Sequence, residues 1–142
     1  MNSAKALIYC RTTTALQDTP QTGCEAQEAR CRAYAKDQNH TVMRVFVDQA
    51  FEEKSDRPGL NALLECIRAN SGKSYTVIAE DPGRIHRSLP DLLAFRKELA
   101  RFDAKLDCIS TAGLRPAEAE LTELLLVARA EWEDGLKDEE EV

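Results

Sequence analysis

A chain of 142 residues, 43% hydrophobic and 31% charged, can bury roughly two-thirds of its unfolded surface as one domain, so neither disulfides nor a structural metal is needed to hold it. Its five cysteines (Cys10, Cys24, Cys31, Cys66, Cys108) include no Cys-x-x-Cys pair and stand in no zinc-ligand spacing with His40 or His86, which predicts free thiols, no metal and no cofactor. The net charge of −6 is uneven: residues 117–142 hold ten acids against Arg129 and Lys137, leaving 17 basic and 15 acidic residues in 1–116, a body of net +2 able to meet a phosphate beside an appendage that repels one.

The first element is the apolar run Ala6-Leu7-Ile8-Tyr9-Cys10, which ends abruptly in Arg11 and three threonines. Such a run fits a strand buried on both faces, and the switch to polar residues fits its carboxyl end, where parallel sheets place their sites. Residues 15–23 have turn composition and no period. A helix follows over 24–38, with Gln27, Cys31, Tyr34 and Ala35 on one face. Gln27 is the polar member of that stripe, and either satisfies backbone groups or faces a site. Residues 42–47 read as the second strand and 48–55 as a polar loop. Asp56-Arg57-Pro58-Gly59 then resembles a capped helix start ahead of the Leu60, Leu63, Leu64, Ile67 stripe.

The third strand is predicted over 75–79. It leads into Pro82-Gly83-Arg84-Ile85-His86-Arg87-Ser88, where a single helical turn points Arg84 and Arg87 the same way. His86 has no evident partner and is expected to be exposed. Ser88 and Asp91 match a cap for a helix with core residues Leu92, Phe95, Leu99 and Phe102, and a fourth strand follows over 105–109. From Pro116 to Leu136 a long helix carries the stripe Leu121, Leu124, Leu125, Ala128, Trp132, widened by Leu126, Val127 and Ala130. That is more apolar surface than one monomer face needs, so self-association through this helix is expected. The domain is expected to span 1–136, with 137–142 a frayed acidic tail. No charged-then-apolar leader opens the chain and no apolar run approaches the ~18 residues of a membrane span, so a cytoplasmic protein without membrane contact is expected.

Strands alternating with helices predict a mainly parallel α/β sheet of four or five strands, with the loops after the first three strands on one rim. Those loops carry Arg11 with Thr13, then Arg57, then Arg84 with Arg87. Several guanidiniums around one hydroxyl, without a metal cluster, suit metal-free attack on a phosphodiester, because they hold the phosphate and stabilise its developing charge.

These residues resemble the catalytic domain of the serine recombinases, the resolvase/invertase family, over nearly the whole chain. The resemblance rests on Tyr9-Cys10-Arg11-Thr12-Thr13, Glu25-Ala26-Gln27 with Cys31-Arg32-Ala33-Tyr34-Ala35, Phe46-Val47-Asp48, Asp56-Arg57-Pro58-Gly59-Leu60 and Arg84-Ile85-His86-Arg87-Ser88. It implies a three-layer resolvase-like fold, dimerisation through the long last helix, and a serine that forms a covalent 5′-phosphoserine link to DNA. Arg11, Arg57, Arg84 and Arg87 match arginines around the scissile phosphate, and Gln27 matches a glutamine near it.

The departures point away from independent recombination. Thr13 stands where the family has its serine, and its extra methyl stiffens χ1 and crowds an in-line approach. Gly83 stands where the family usually has aspartate, and Asp134 where an arginine is expected. Two readings follow: a degenerate recombinase-like domain acting through binding, with itself or a related recombinase as partner and DNA held weakly, or an enzyme using Thr13 with DNA binding supplied in trans.

Overall fold

The computed structural model describes residues 4–12, 23–49, 57–70 and 72–140. Among these residues four strands, β1 (Ala4–Thr12), β2 (His40–Gln49), β3 (Thr76–Ala79) and β4 (Lys105–Cys108), form one sheet in the order β2-β1-β3-β4, every pairing parallel. The α-helices among the described residues are α1 (Cys24–Asp37), α2 (Pro58–Ala69), α3 (Leu89–Arg101) and the long α4 (Pro116–Glu140), completing the α/β fold.

β1 is one of the two inner strands, flanked by β2 and β3, and Ala6 through Cys10 are fully buried. Alternation along the strand sorts these side chains between two layers. Leu7 and Tyr9 join Leu60, Leu63 and Ile67 of α2 and Phe95 and Leu99 of α3, whereas Ala6, Ile8 and Cys10 join Cys31 and Ala35 of α1. The sheet is thus sandwiched between α1 and the α2–α3 layer. Each large side chain buried this way contributes about 1.5–3 kcal/mol.

The elements depart from the sequence reading in several details. α1 stops at Asp37 and Asn39 adopts a left-handed φ of 59°, so His40 already begins β2. At its other end β2 continues through Asp48 and Gln49, residues read as loop, because both still pair with the end of β1. Ser88 makes no side-chain cap for α3; the Leu89 amide donates instead to Glu131 Oε2 of α4 at 2.8 Å. Finally, α4 runs on to Glu140, where the sequence suggested a frayed end after 136; lysine and glutamate are good helix formers and extend it.

Among the described side chains of α4 the buried ones are Glu123 and Val127, while Leu121, Leu125 and Trp132 of the apolar stripe are 59%, 61% and 66% exposed. The cause is Glu123, which accepts a hydrogen bond from Thr111 Oγ1 at 3.0 Å and forms an ion pair with Arg96 of α3. A buried carboxylate with two partners cannot be turned to solvent without stranding them, so it sets the rotation of the helix. Leu124 is half-buried and Leu126 exposed.

Candidate functional site

In a parallel sheet all strands finish on one side, and here that rim gathers Arg11 from the end of β1 and the segment after β3. That segment forms a tight turn over Pro82–Arg84. Arg11, Arg84 and Arg87 line a common cleft of about 440 Å³, together with Asp81, Pro82 and Gly83. α4 supplies the facing wall through Leu126, Val127, Ala130, Glu133 and Asp134.

Arg11 is held by its backbone. Gln27, fully buried on α1, accepts from the Arg11 amide through Oε1 and donates to the Arg11 carbonyl through Nε2, both at 3.0 Å. Arg84 Nη1 donates to the same carbonyl at 3.2 Å. The side-chain amide of Gln27 therefore satisfies the strand end and fixes where Arg11 leaves the sheet. Burial, followed by the charges of Arg57 and Arg87, lowers the pKa of Arg11 below its ordinary value. Such crowding of guanidiniums favours an oxyanion among them.

Arg57 lies behind this cleft. It occupies the N-cap of α2 with left-handed φ and ψ of 50° and 61°, a conformation costing on the order of 1 kcal/mol in a non-glycine residue. Its Nη2 donates to the Tyr9 hydroxyl at 2.9 Å and to the Arg84 carbonyl at 3.1 Å, and its Nη1 lies 3.2 Å from His86 Nδ1. The Tyr9 hydroxyl in turn donates to Asp48 Oδ2 at 2.7 Å. Asp48 also accepts from the amides of Gly59 at 2.7 Å and Leu60 at 2.9 Å, so a residue of β2 caps α2. This requires close approach: a Cβ on Gly59 would stand 2.7 Å from the Val47 carbonyl and 2.8 Å from Asp48 Oδ1. Burial and the Asp48 carboxylate push the Tyr9 phenol above its ordinary pKa.

His86, expected to be exposed, is half-buried and stands edge-on to Phe95 with ring centroids 6.0 Å apart. Burial, then the positive charge of Arg57, lowers its pKa to about 4. The ring is thus neutral near pH 7, with Nδ1 the acceptor facing Arg57.

Of the residues singled out from sequence, Arg11, Arg84 and Arg87 share the cleft, Arg57 sits behind it and Gln27 positions Arg11. Thr13 lies outside the described residues, as does Asp56, the expected cap of α2. Gly83 borders the carboxylate of Asp81: a Cβ there would lie 3.0 Å from Asp81 Oδ1, and Asp81 Oδ2 is 3.7 Å from Arg84 Nε. An acid therefore stands next to Arg84 although residue 83 has no side chain. Among the described residues no group of three His, Cys, Asp or Glu could hold a metal ion, and no helix is long and apolar enough to cross a membrane. Three guanidiniums in one cleft have the chemistry to grip a phosphate oxyanion.

Known proteins share the fold of this chain. A resolvase family site-specific recombinase from Streptococcus pneumoniae shares the fold with a TM-score of 0.70 at 22% identity, over 98% of this chain and 95% of that one. The N-terminal catalytic domain of TP901-1 integrase gives 0.69 at 24% identity, over 94% and 98%. The C-terminal catalytic domain of ISC1926 TnpA, an IS607-like serine recombinase, gives 0.61 at 20% identity, over 74% and 70%. No curated protein matches the chain. The family described as "Resolvase, N terminal domain" matches residues 6–141, nearly the full length, so the chain belongs to the resolvase family.

Proposed function

We propose that this chain is a recombinase-type catalytic domain that acts by associating with a second domain of its kind and by holding a phosphate, without cutting DNA. The observation that carries the reading is the double use of α4. One side of the helix lines the arginine cleft, and the other exposes Leu121, Leu125 and Trp132. With Ala128 these fall at i, i+4, i+7 and i+11, one stripe of the kind that seats on a partner helix. Self or a related recombinase is the partner proposed for it. The acids of residues 117–142 argue for weak DNA binding by the isolated chain, since each phosphate contact needs a cation. Thr13 and Gly83, in place of the family's serine and aspartate, argue against strand cleavage.

The arginines of the cleft favour one alternative, an enzyme that uses Thr13 as nucleophile and takes DNA binding from another subunit. Sedimentation equilibrium tests the association. The wild-type chain is expected to form dimers or larger species, and Leu125→Glu, which places a charge in the stripe, to be a folded monomer with an unchanged circular-dichroism spectrum. A wild-type chain that stays monomeric at millimolar concentration would overturn association with itself, and a relative that also fails to bind it would overturn the reading.

A further inference from the structure

The lining of the arginine cleft carries as many carboxylates as guanidiniums: Asp81, Glu133 and Asp134 against Arg11, Arg84 and Arg87. Two of the three acids come from α4, and their position is held. Four residues before Glu133, Arg129 Nε donates to its Oε1 at 3.1 Å within the helix, and side chains of Glu123 and Glu131 tie the described part of α4 to the rest of the domain. Glu123 is buried and bound to Arg96 and Thr111, and Glu131 accepts the Leu89 amide. Since Glu131 is only two residues from Glu133, the acidic wall cannot swing clear without breaking that contact.

From this we infer that Glu133 and Asp134 are specificity-determining residues of the cleft, which cancel its arginine charge so that a dianionic phosphomonoester gains no advantage over a singly charged phosphodiester. The inference rests on the proposed reading of the cleft as a phosphate site. Its physics is the scaling of charge with charge. In a lining of zero net charge the second negative charge of a monoester gains no more attraction from the arginines than it meets repulsion from the acids. Removing two acids leaves a net charge of +2, and the dianion then gains twice what the monoanion gains. At separations where one screened charge pair changes affinity about threefold, the double neutralisation strengthens a monoanion about tenfold and a dianion about a hundredfold.

The test compares dimethyl phosphate with inorganic phosphate at pH 8, read through the amide NMR shifts of Gly83 and Arg84, in the full chain and in Glu133→Gln/Asp134→Asn. A Glu118→Gln/Glu120→Gln chain serves as the control, because it removes the same charge from exposed positions of α4 outside the cleft. The expected result is similar affinity for the two ligands in the wild type and the control, and a preference for inorganic phosphate about tenfold larger in the cleft variant. Each single variant should give an intermediate ratio, which keeps the test open if the double variant does not fold. Binding of both ligands with an unchanged ratio would overturn the inference and leave the phosphate reading standing. An equal change in the control would overturn it as well, by assigning the effect to overall charge. If neither ligand shifts these amides in any of the chains, both the phosphate reading and the inference fail.

Discussion

Replacing Asp48 with alanine withdraws the acceptor that joins the end of β2 to the start of α2. The carboxylate is 3% exposed and accepts three hydrogen bonds, from the Tyr9 hydroxyl and the Gly59 and Leu60 amides. Alanine leaves all three donors unpaired in a place water reaches poorly, at about 1–1.5 kcal/mol each, so the expected loss is about 4 kcal/mol. For a domain of this size that lowers the melting temperature by roughly 12 °C. Thermal unfolding followed by circular dichroism measures it, and urea titration supplies the free energy independently. A double-mutant cycle with Tyr9→Phe should show coupling of at least about 1 kcal/mol, because the phenol loses its partner in either variant. A melting temperature within about 3 °C of wild type would refute the reasoning, since no cap of α2 by β2 could then be contributing as the geometry implies.

His86 makes stability depend on pH. Its folded pKa of about 4 lies below the ordinary 6.5, so its contribution is complete above pH 6.5 and is lost as pH falls toward 4, where the unfolded chain binds the extra proton. The wild type should therefore lose about 2 kcal/mol more than His86→Asn between pH 7 and pH 4, measured by urea unfolding in both chains; parallel pH profiles would count against the burial of the ring and its contact with Arg57. Glu123→Ala should cost about 3–5 kcal/mol by leaving Arg96 unpaired, whereas Arg96→Met/Glu123→Leu, which removes both charges, should recover most of the loss. Equal destabilisation by the two variants would contradict the view that the buried pair sets the rotation of α4.

The sheet was legible because β1 is apolar at five consecutive positions and each strand is followed by a helical stripe; both signals are local. The cleft was legible in part for a similar reason, as Arg11, Arg84 and Arg87 follow strand ends or a turn that sequence marks. Asp48 was missed as a cap because its helix begins ten residues further on, and only the fold brings Gly59 to it. A signal did exist: Phe46 and Asp48 share one face of a strand, so an aspartate there faces the same layer as a core phenylalanine. His86 carries no such mark, since its partner Arg57 is remote in sequence. Glu123 is one acid among ten in residues 117–142, and nothing local tells which of them Arg96 will draw inward. Once that one is buried, the rotation of the helix is set, and Leu121 and Leu125 face out.

Covalent trapping tests whether this resolvase-family domain binds without cutting. The chain is incubated with nicked suicide duplexes and with a related active recombinase supplying DNA binding, and covalent protein–DNA species are sought by denaturing electrophoresis and mass spectrometry. No adduct is expected on this chain under any of these conditions. An adduct that forms on the wild type and vanishes in Thr13→Ala would contradict it and establish Thr13 as a nucleophile.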